Sequence, residues 1–433
     1  MASYSPLRPL PEEGRREIEE TAGPASAPAT SPSSAARERL ASLDVFRGLT
    51  VALMIFVDDA GAVLPSIAHS PWNGVRLADF VMPFFLFIVG VSLALVYKRI
   101  SNPHIATCKA TLRSAKLFFI GIFLQGGYFH GVNNLTFGVD IEKIRWLGIL
   151  QRIAVAYFFT ALCEIWFTRK SLVDMKYGPF GRYYIQWVFA VFLSVTYLGL
   201  LYGLYVPDWQ FEVQQLESST LFSGNTNEAY KVNCSVRGDL GPACNAAGFI
   251  DRYIVGIQHL YKKPVYRNLE ECISHKAQES PPVWCHAPFD PEGILSSLMA
   301  IVTCITGLHF GHTLIQLEDH WDRINHWLLL SCSLLAFASL FVFIGIPLNK
   351  SLYTTSYTLL TSGSAGLVFG GIYLLVDVYG CRHPTIVLEW MGRHSLSIYV
   401  LVASNLLFIA IQGVYWAYPE NNIINWIISL VHK

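Results

Sequence analysis

Nine long apolar runs constrain this chain more than any other feature of its sequence. A bilayer core of about 30 Å is crossed by roughly 20 mostly apolar residues in helical form. The runs are 46–66, 78–97, 112–129, 146–167, 184–206, 292–311, 327–346, 353–377 and 395–416. A shorter apolar stretch at 423–431 indicates an interfacial segment or the start of a tenth helix. The sequence therefore predicts an all-α, polytopic membrane helix bundle of about nine to ten transmembrane helices.

Composition excludes several other classes of protein. Hydrophobic residues make up 53% of the 433 residues and charged residues only 14%, whereas a soluble globular protein carries about 25% charged residues. Lys plus Arg and Asp plus Glu both number 31, so the net charge is zero. This balance excludes a polybasic nucleic-acid binder. We expect membrane lipid around the protein and no nucleic-acid partner.

The first 40 residues differ in character from the rest of the chain. They are rich in Glu and Arg and then in Pro, Ala and Ser. They contain no apolar h-region, so they do not read as a secretory leader. They also lack the apolar residues that a folded core requires. We therefore predict a disordered cytosolic tail at 1–40, followed by a transmembrane domain at 41–433.

The loops between the apolar runs differ in positive charge, which predicts the orientation of the bundle. Loops 98–116 and 168–183 hold five and four Lys or Arg residues, whereas loops 67–77 and 347–352 hold one each. Positive loops face the cytosol. The N-terminus is therefore expected in the cytosol, and the long segment 207–291 is expected to be lumenal or extracellular.

Four of the nine cysteines fall in segment 207–291. They are Cys234, Cys244, Cys272 and Cys285. An oxidising compartment would make them a disulfide set, with three connectivities open. The competing interpretation is a zinc site, but no CxxC spacing is present, so we predict disulfides and no metal. N-glycosylation sequons at Asn134, Asn233 and Asn349 lie in loops placed on the same side of the membrane.

Ionisable side chains within the apolar runs are the leading functional candidates, because each costs about 2.5–3.5 kcal/mol to insert. Asp58 and Asp59 lie in the first run, His69 in the following loop, and Asp79 at the start of the second run. An imidazole beside carboxylates can be a general base, a nucleophile or a proton relay. The alternative is a solvated loop histidine with helix-capping aspartates, and the spacing leaves both interpretations open.

Three further polar residues could bind an anion. Arg47 lies at the cytosolic end of the first run, and Gln151 and Arg152 lie at the start of the fourth. Arg152 could hold an anionic ligand or pair with an aspartate. His309 and His312 are three residues apart, but two histidines alone do not make a metal site.

Eight short segments, in order over most of residues 39–405, form a pattern that resembles a known family. They are 39–48 (RLASLDVFRG), 69–74 (HSPWNG), 78–85 (ADFVMPFF), 148–152 (GILQR), 246–252 (AAGFIDR), 259–261 (HLY), 290–293 (DPEG) and 346–350 (IPLNK). Together they resemble the heparan-alpha-glucosaminide N-acetyltransferase family. The four-cysteine segment is similar to that of the plant-type members.

The resemblance implies a ten-helix catalytic domain with acetyl-CoA from the cytosol as co-substrate. The family's lysosomal members acetylate the terminal glucosamine of heparan sulfate on the lumenal side. The resemblance carries the catalytic histidine onto His69, either through an acetyl-histidine intermediate or through direct transfer in a ternary complex. It implies a multi-pass protein of the lysosome, vacuole or another endomembrane, with the plasma membrane also open.

On this basis the chain is interpreted as a membrane-bound acetyltransferase that acts on a lumenal amino sugar or other glycan. Asp58 or Asp59 would orient the imidazole of His69, as carboxylates do in other histidine-based sites. The set expected to hold the co-substrate is Arg47, Gln151 and Arg152. A homodimer is left open.

Two other functions remain open at this stage. A proton-coupled transporter would use the aspartates and the histidine as a relay, and it would produce substrate flux without a covalent product. A catalytically inactive scaffold of the same family would bind no acetyl-CoA.

Overall fold

The computed structural model describes residues 40–61, 64, 66–98, 102–130, 136–139, 144–170, 183–212, 229–234, 236–261, 264–273 and 282–404, with Trp426 and Ser429. Several predictions lie outside these residues: the tail at 1–39, the sequon at Asn134, the end of the ninth apolar run and nearly all of 423–431. They stay predictions.

Twelve helices account for most of the described chain. They are α1 (Ala41–Ala60), α2 (Leu77–Tyr97), α3 (Pro103–Gly126), α4 (Ile149–Lys170), α5 (Tyr184–Gly203), α6 (Ala246–Ile254), α7 (Glu270–Ile273), α8 (Ile294–Gln316), α9 (His320–Ile344), α10 (Thr355–Tyr373), α11 (Ile386–Arg393) and α12 (Ser395–Ala403). The first eight apolar runs each coincide with a long helix. Six helices are long and apolar enough to cross a membrane within the described ranges, and the predicted all-α, polytopic membrane fold is confirmed.

Helix α3 begins nine residues before the apolar run that predicted it. The side chain of Asn102 accepts a hydrogen bond from the backbone N–H of His104, and Pro103 occupies the first helical position. Both features are typical of a helix start. Much of the positive segment 98–116 is therefore helix, which places Arg113 on a helix that packs against α4.

Helices α2 and α8 run parallel through the centre of the bundle and cross with their backbones nearly touching. A Cβ atom added to Gly90 would lie 1.9 Å from the carbonyl oxygen of Cys304, and one added to Gly307 would lie 2.0 Å from that of Phe87. Small residues permit this approach, as in other membrane helix pairs. Both helices therefore begin at the same end of the bundle. Helix α10 begins there too, since the hydroxyl of Tyr357 in its first turn donates to the carbonyl of Asp79.

The segment between α5 and α8 forms a small folded region held by two disulfides. Two short antiparallel strand pairs are present in the described chain. Strands β1 (Gly127–His130) and β2 (Thr136–Val139) pair between α3 and α4, and strands β3 (Trp209–Glu212) and β4 (Ala229–Val232) pair in the region between α5 and α8. Disulfides join Cys234 to Cys244 and Cys272 to Cys285. The predicted disulfides are confirmed, and the structure selects one of the three connectivities.

Candidate active site

Two loops, one between α1 and α2 and one between α9 and α10, are joined side by side at one end of the bundle. The N–H of Gly74 donates to the carbonyl of Leu348 at 2.8 Å, and the side chain of Asn349 donates to Asn73 Oδ1 at 3.2 Å. Asn349 Oδ1 also accepts from the N–H of Leu352 at 2.8 Å. Asn349 is fully buried, so its sequon does not serve as a glycosylation site in this fold. Asn233 is exposed.

A histidine–carboxylate pair lies where these loops meet the start of α2. His69 Nδ1 is 2.9 Å from Asp79 Oδ1. Asp79 Oδ2 accepts hydrogen bonds from the backbone N–H groups of Ser70 and Arg76, at 3.1 and 2.9 Å. Asp79 is the third residue of α2, a position where a carboxylate satisfies backbone donors and is favoured by the helix dipole. The carboxylate is fully buried, while the His69 side chain is 36% exposed.

Lys350 completes this cluster, although its position in the sequence did not indicate a site residue. Its Nζ atom lies 2.8 Å from His69 Nδ1, 3.4 Å from His69 Nε2 and 3.5 Å from Asp79 Oδ1. Burial lowers the pKa of Lys350 below its ordinary value, although the nearby carboxylates of Asp79 and Glu292 oppose that effect. The sequence feature that could have indicated Lys350 is its place in segment 346–350, which resembles the family.

Asp58 and Asp59 lie at the end of α1, and both are exposed. In the described part of the chain neither carboxylate makes a hydrogen bond to His69; the carboxylate that contacts the imidazole is that of Asp79. Asp58 is nevertheless close enough to His69 and Lys350 to interact electrostatically with both. Tyr399 of α12 interacts in the same way with Asp58, so α12 borders the same space.

A second cluster of charged residues lies next to the site, close to Lys350. Arg145 forms a forked pair with Asp290, at 2.8 and 2.6 Å, and also contacts Glu292. Arg145, Arg152 and Lys350 hold the pKa of Glu292 below its ordinary value, even though burial acts in the opposite direction. The cations therefore keep a negative charge close to Lys350.

The structure separates the residues that were expected to bind the co-substrate. Arg152 is buried at the end of the bundle where His69 lies, which we call the His69 end. Its guanidinium donates there to Pro291 O and Ser296 Oγ. Gln151 is also buried and packs against Gly121 of α3. These contacts commit Arg152 to the start of α8.

Arg47 lies towards the other end of the bundle, which we call the Arg47 end. It donates to Asp44 Oδ1 at 2.9 Å and to Ser92 Oγ at 3.1 Å. Ser92 is 13 residues beyond Asp79 on α2, a rise of about 20 Å, so Arg47 and Arg152 do not hold the same group. Arg113 is close enough to Arg47 to repel it electrostatically, and it lies 5.2 Å above the ring of Tyr157.

The geometry at His69 is suited to proton transfer or nucleophilic attack. If Nδ1–H donates to Asp79, the opposite nitrogen, Nε2, carries a lone pair that can accept a proton or attack an acyl carbon. The buried carboxylate fixes the orientation of the ring, as in histidine-based acyl-transfer sites.

Comparison with known proteins finds one family of relatives. Residues 39–176 match the family model for heparan-alpha-glucosaminide N-acetyltransferase, catalytic. The chain is 31% identical over 399 residues to heparan-alpha-glucosaminide N-acetyltransferase of Homo sapiens, and 31% identical over 397 residues to that of Mus musculus. Each alignment covers 86% of this chain and 54% of the relative. The chain thus spans about half the length of the curated relatives that it matches.

Proposed function

Because this chain is related to the heparan-alpha-glucosaminide N-acetyltransferase family, we propose that it is a membrane-bound acetyltransferase. It would move an acetyl group from acetyl-CoA to an amine or hydroxyl of a sugar acceptor. The observation that carries this proposal is the contact between His69, which is partly exposed, and the buried carboxylate of Asp79. This arrangement is suited to both general base catalysis and nucleophilic catalysis.

Two routes are compatible with the arrangement around His69. In direct transfer, Nε2 removes a proton from the acceptor while the acceptor attacks the thioester carbon. In the covalent route, Nε2 attacks first and an acetyl-histidine forms before the acceptor arrives. In both routes Asp79 holds Nδ1–H and stabilises the positive charge that develops on the ring.

The Arg47 end would hold the phosphates of CoA. Two guanidinium groups, those of Arg47 and Arg113, lie close together there, and neighbouring cations favour an anionic ligand. Arg47 is 11 residues before Asp58 on α1, a rise of about 16 Å. The acyl arm of CoA would extend along the bundle from the Arg47 end to His69.

The proposed orientation places the His69 end in the lumen and the Arg47 end in the cytosol, in a lysosomal, vacuolar or other endomembrane. The disulfide-bonded region supports this orientation, because it contacts the His69 end. Trp72, three residues after His69, donates from Nε1 to the carbonyl of Leu240 at 2.9 Å and packs on Tyr266. Disulfides form in oxidising compartments.

The test uses the purified full chain in nanodiscs with radiolabelled acetyl-CoA. The readouts are CoA release and label transfer to glucosamine and a panel of small sugars. We expect transfer by the wild type, its loss in His69→Ala, and its retention in His104→Ala, which changes an exposed histidine outside the site. A folded wild type that neither binds acetyl-CoA nor releases CoA would refute the proposal and leave the transporter and scaffold alternatives.

A further inference from the structure

The ammonium group of Lys350 has more hydrogen-bonding capacity than its surroundings use. An ammonium carries three donors and no acceptor. Within the described residues, the only oxygen recorded near it is Asp79 Oδ1, at 3.5 Å. Its other recorded neighbour is the His69 ring, whose Nδ1 cannot accept from Lys350 while it donates to Asp79. At least one proton of Lys350 is therefore available to a ligand oxygen.

The loop that carries Lys350 is held firmly in place. Asn349 N–H donates to Thr354 Oγ1 at 3.1 Å, and the side chain of Asn349 bonds both Asn73 and the N–H of Leu352. The neighbouring side chains, those of Asn349 and Leu352, are fully buried. Lys350 itself is 20% exposed, so the amine is mostly removed from water without being sealed off.

Keeping a cation in such a place is costly unless it serves a partner or a ligand. Counter-charges explain part of its presence, since the carboxylates of Asp79 and Glu292 act on Lys350 while Arg152 repels it. They do not explain why Nζ lies within 3.4 Å of both nitrogens of the His69 ring. That position is next to the atom at which acyl transfer would occur.

We propose that Lys350 is a further catalytic residue, whose ammonium donates a hydrogen bond to the carbonyl oxygen of the acetyl thioester and stabilises the oxyanion formed on attack. The proposal rests on the acetyltransferase function proposed above. Preorganised donors aimed at a developing oxyanion give large rate effects in acyl transfer. An oxygen on a carbon attacked at or beside Nε2 lies within reach of Nζ.

The step balances as follows in direct transfer. The acceptor nitrogen bonds to the carbonyl carbon while His69 Nε2 takes its proton, and the C=O electron pair moves to oxygen, where Lys350 binds it. The pair then returns, the C–S bond breaks, and His69 gives its proton to the leaving thiolate. In the covalent route Nε2 attacks the carbonyl carbon, the C–S bond breaks and CoA leaves as the thiolate. The acceptor then attacks the acetyl carbon, the C–Nε2 bond breaks, and the acceptor's proton passes through Nε2 to the thiolate. Lys350 binds the same oxygen in both steps.

The test compares Lys350→Met and Lys350→Arg with Lys98→Met, which removes a lysine beyond the end of α2. We expect Lys350→Met to lower kcat by about 10²–10³-fold, the effect typical of losing one oxyanion donor, with little change in the Kd for acetyl-CoA. Lys350→Arg keeps a cation and should retain more activity. Lys98→Met should match the wild type.

The pH profile separates this role from a structural one. The groups facing Lys350 are His69, Asp79, Asp58, Glu292 and Arg152. Because burial lowers the pKa of Lys350, activity should fall as pH rises and the ammonium loses its proton. In Lys350→Arg the charge persists, so this basic limb should move to higher pH. The readout needs only the wild type and Lys350→Arg, so it holds even if Lys350→Met fails to fold.

Two failures can be told apart. Turnover by the wild type that survives Lys350→Met within threefold, or a basic limb that stays in place in Lys350→Arg, would refute the catalytic role of Lys350 alone. Absence of turnover in folded wild type would refute the acetyltransferase function and, with it, this role.

Discussion

The two ends of the bundle each hold a histidine–carboxylate pair, and the nitrogen–oxygen distances in the two pairs are nearly equal. His69 Nδ1 lies 2.9 Å from Asp79 Oδ1, and His312 Nε2 lies 3.0 Å from Glu164 Oε2. The His69 side chain is 36% exposed, whereas those of His312 and Glu164 are 4% and 5% exposed. The contact distance therefore does not distinguish the pairs, but their surroundings do.

Aromatic rings enclose the pair at the Arg47 end. His312 stacks on Tyr183 with ring centroids 3.8 Å apart, and its neighbour His309 stacks on Trp187 at 4.3 Å. Glu164 also accepts from Gln186 Nε2 at 2.8 Å. Stacking by both histidines, and the hydrogen bond of His312 to Glu164, pack α4, α5 and α8 together. Both histidines also line a cavity of about 300 Å³ at this end. His69 instead has a buried carboxylate and a lysine close to Nδ1, at 2.9 and 2.8 Å, and its side chain stays 36% exposed, which is an arrangement suited to chemistry.

The largest expected effect comes from comparing kcat after one isosteric substitution at each end of the bundle. Asp79→Asn retains the capping oxygen of α2 but removes the charge that orients and stabilises the His69 imidazolium. We expect kcat to fall by about 10²–10⁴-fold, as in other histidine–aspartate sites. Glu164→Gln should change kcat by less than about threefold and act on stability, since losing a partner for a buried group costs about 1–3 kcal/mol.

The measurements are kcat from CoA release and the midpoint of thermal unfolding for each variant. Equal losses of kcat in Asp79→Asn and Glu164→Gln would show that the pair at the Arg47 end is also catalytic. Unchanged kcat in Asp79→Asn would remove Asp79 from the mechanism.

The apolar runs predicted the long helices well because a bilayer imposes one length and one polarity on any segment that crosses it. The sequence also placed His69 and Asp79 among the candidates near one helix end, ten residues apart, but it indicated Asp58 or Asp59 as the orienting carboxylate, whereas the contact is with Asp79. Lys350 was not, because it lies 281 residues from His69. The pairing of Asn73 with Asn349 that brings it there leaves no periodic signal in the sequence.

The position of Arg152 was misjudged for a different reason. It was grouped with Arg47 because both are basic and close to an apolar run. The structure places Arg152 at the His69 end, bonded to the residues that start α8. Charge alone indicates affinity for an anion, while the end of the bundle to which a residue belongs depends on the direction of its helix.

A second comparison within the His69 end concerns two buried carboxylates that cap helices. Asp79 caps α2 beside a histidine and a lysine, whereas Asp251 of α6 caps α8 by accepting from the N–H of Ile294 at 2.8 Å. The other oxygen of Asp251 has no hydrogen-bond partner in the described part of the chain. Burial raises the pKa of Asp251 to about 7, although the bond from Ile294 opposes this.

The folded state therefore binds more protons than the unfolded state between the ordinary carboxyl pKa of 3.8 and about 7. The contribution of Asp251 to stability falls as pH rises through that window, by at most about 4 kcal/mol for a shift of this size. We expect the unfolding midpoint to fall from pH 4 to pH 8 in the wild type, and to fall less in Asp251→Asn.

The matched control is Asp319→Asn, which changes an exposed capping residue of α9. Its unfolding midpoint should follow the wild-type pH dependence. If Asp251→Asn follows it as well, Asp251 is not the group that titrates in this window, and another buried carboxyl of the His69 end must be tested in its place.

The smallest expected effect concerns the Arg47 end as the place where the co-substrate binds. Arg113→Ala removes one of two neighbouring guanidinium groups, and we expect the KM for acetyl-CoA to rise by about tenfold, or 1.4 kcal/mol, with kcat unchanged. Because the contact is electrostatic and Arg113 is exposed, the difference from the wild type should shrink as ionic strength increases. Lys109→Ala, which changes an exposed cation on the same helix, should leave KM unaltered. The opposite outcome is a KM for acetyl-CoA that rises in a stably folded Arg152→Ala variant and does not change in Arg113→Ala. That outcome would place the phosphates of CoA at the His69 end and reverse the direction in which the acyl arm extends.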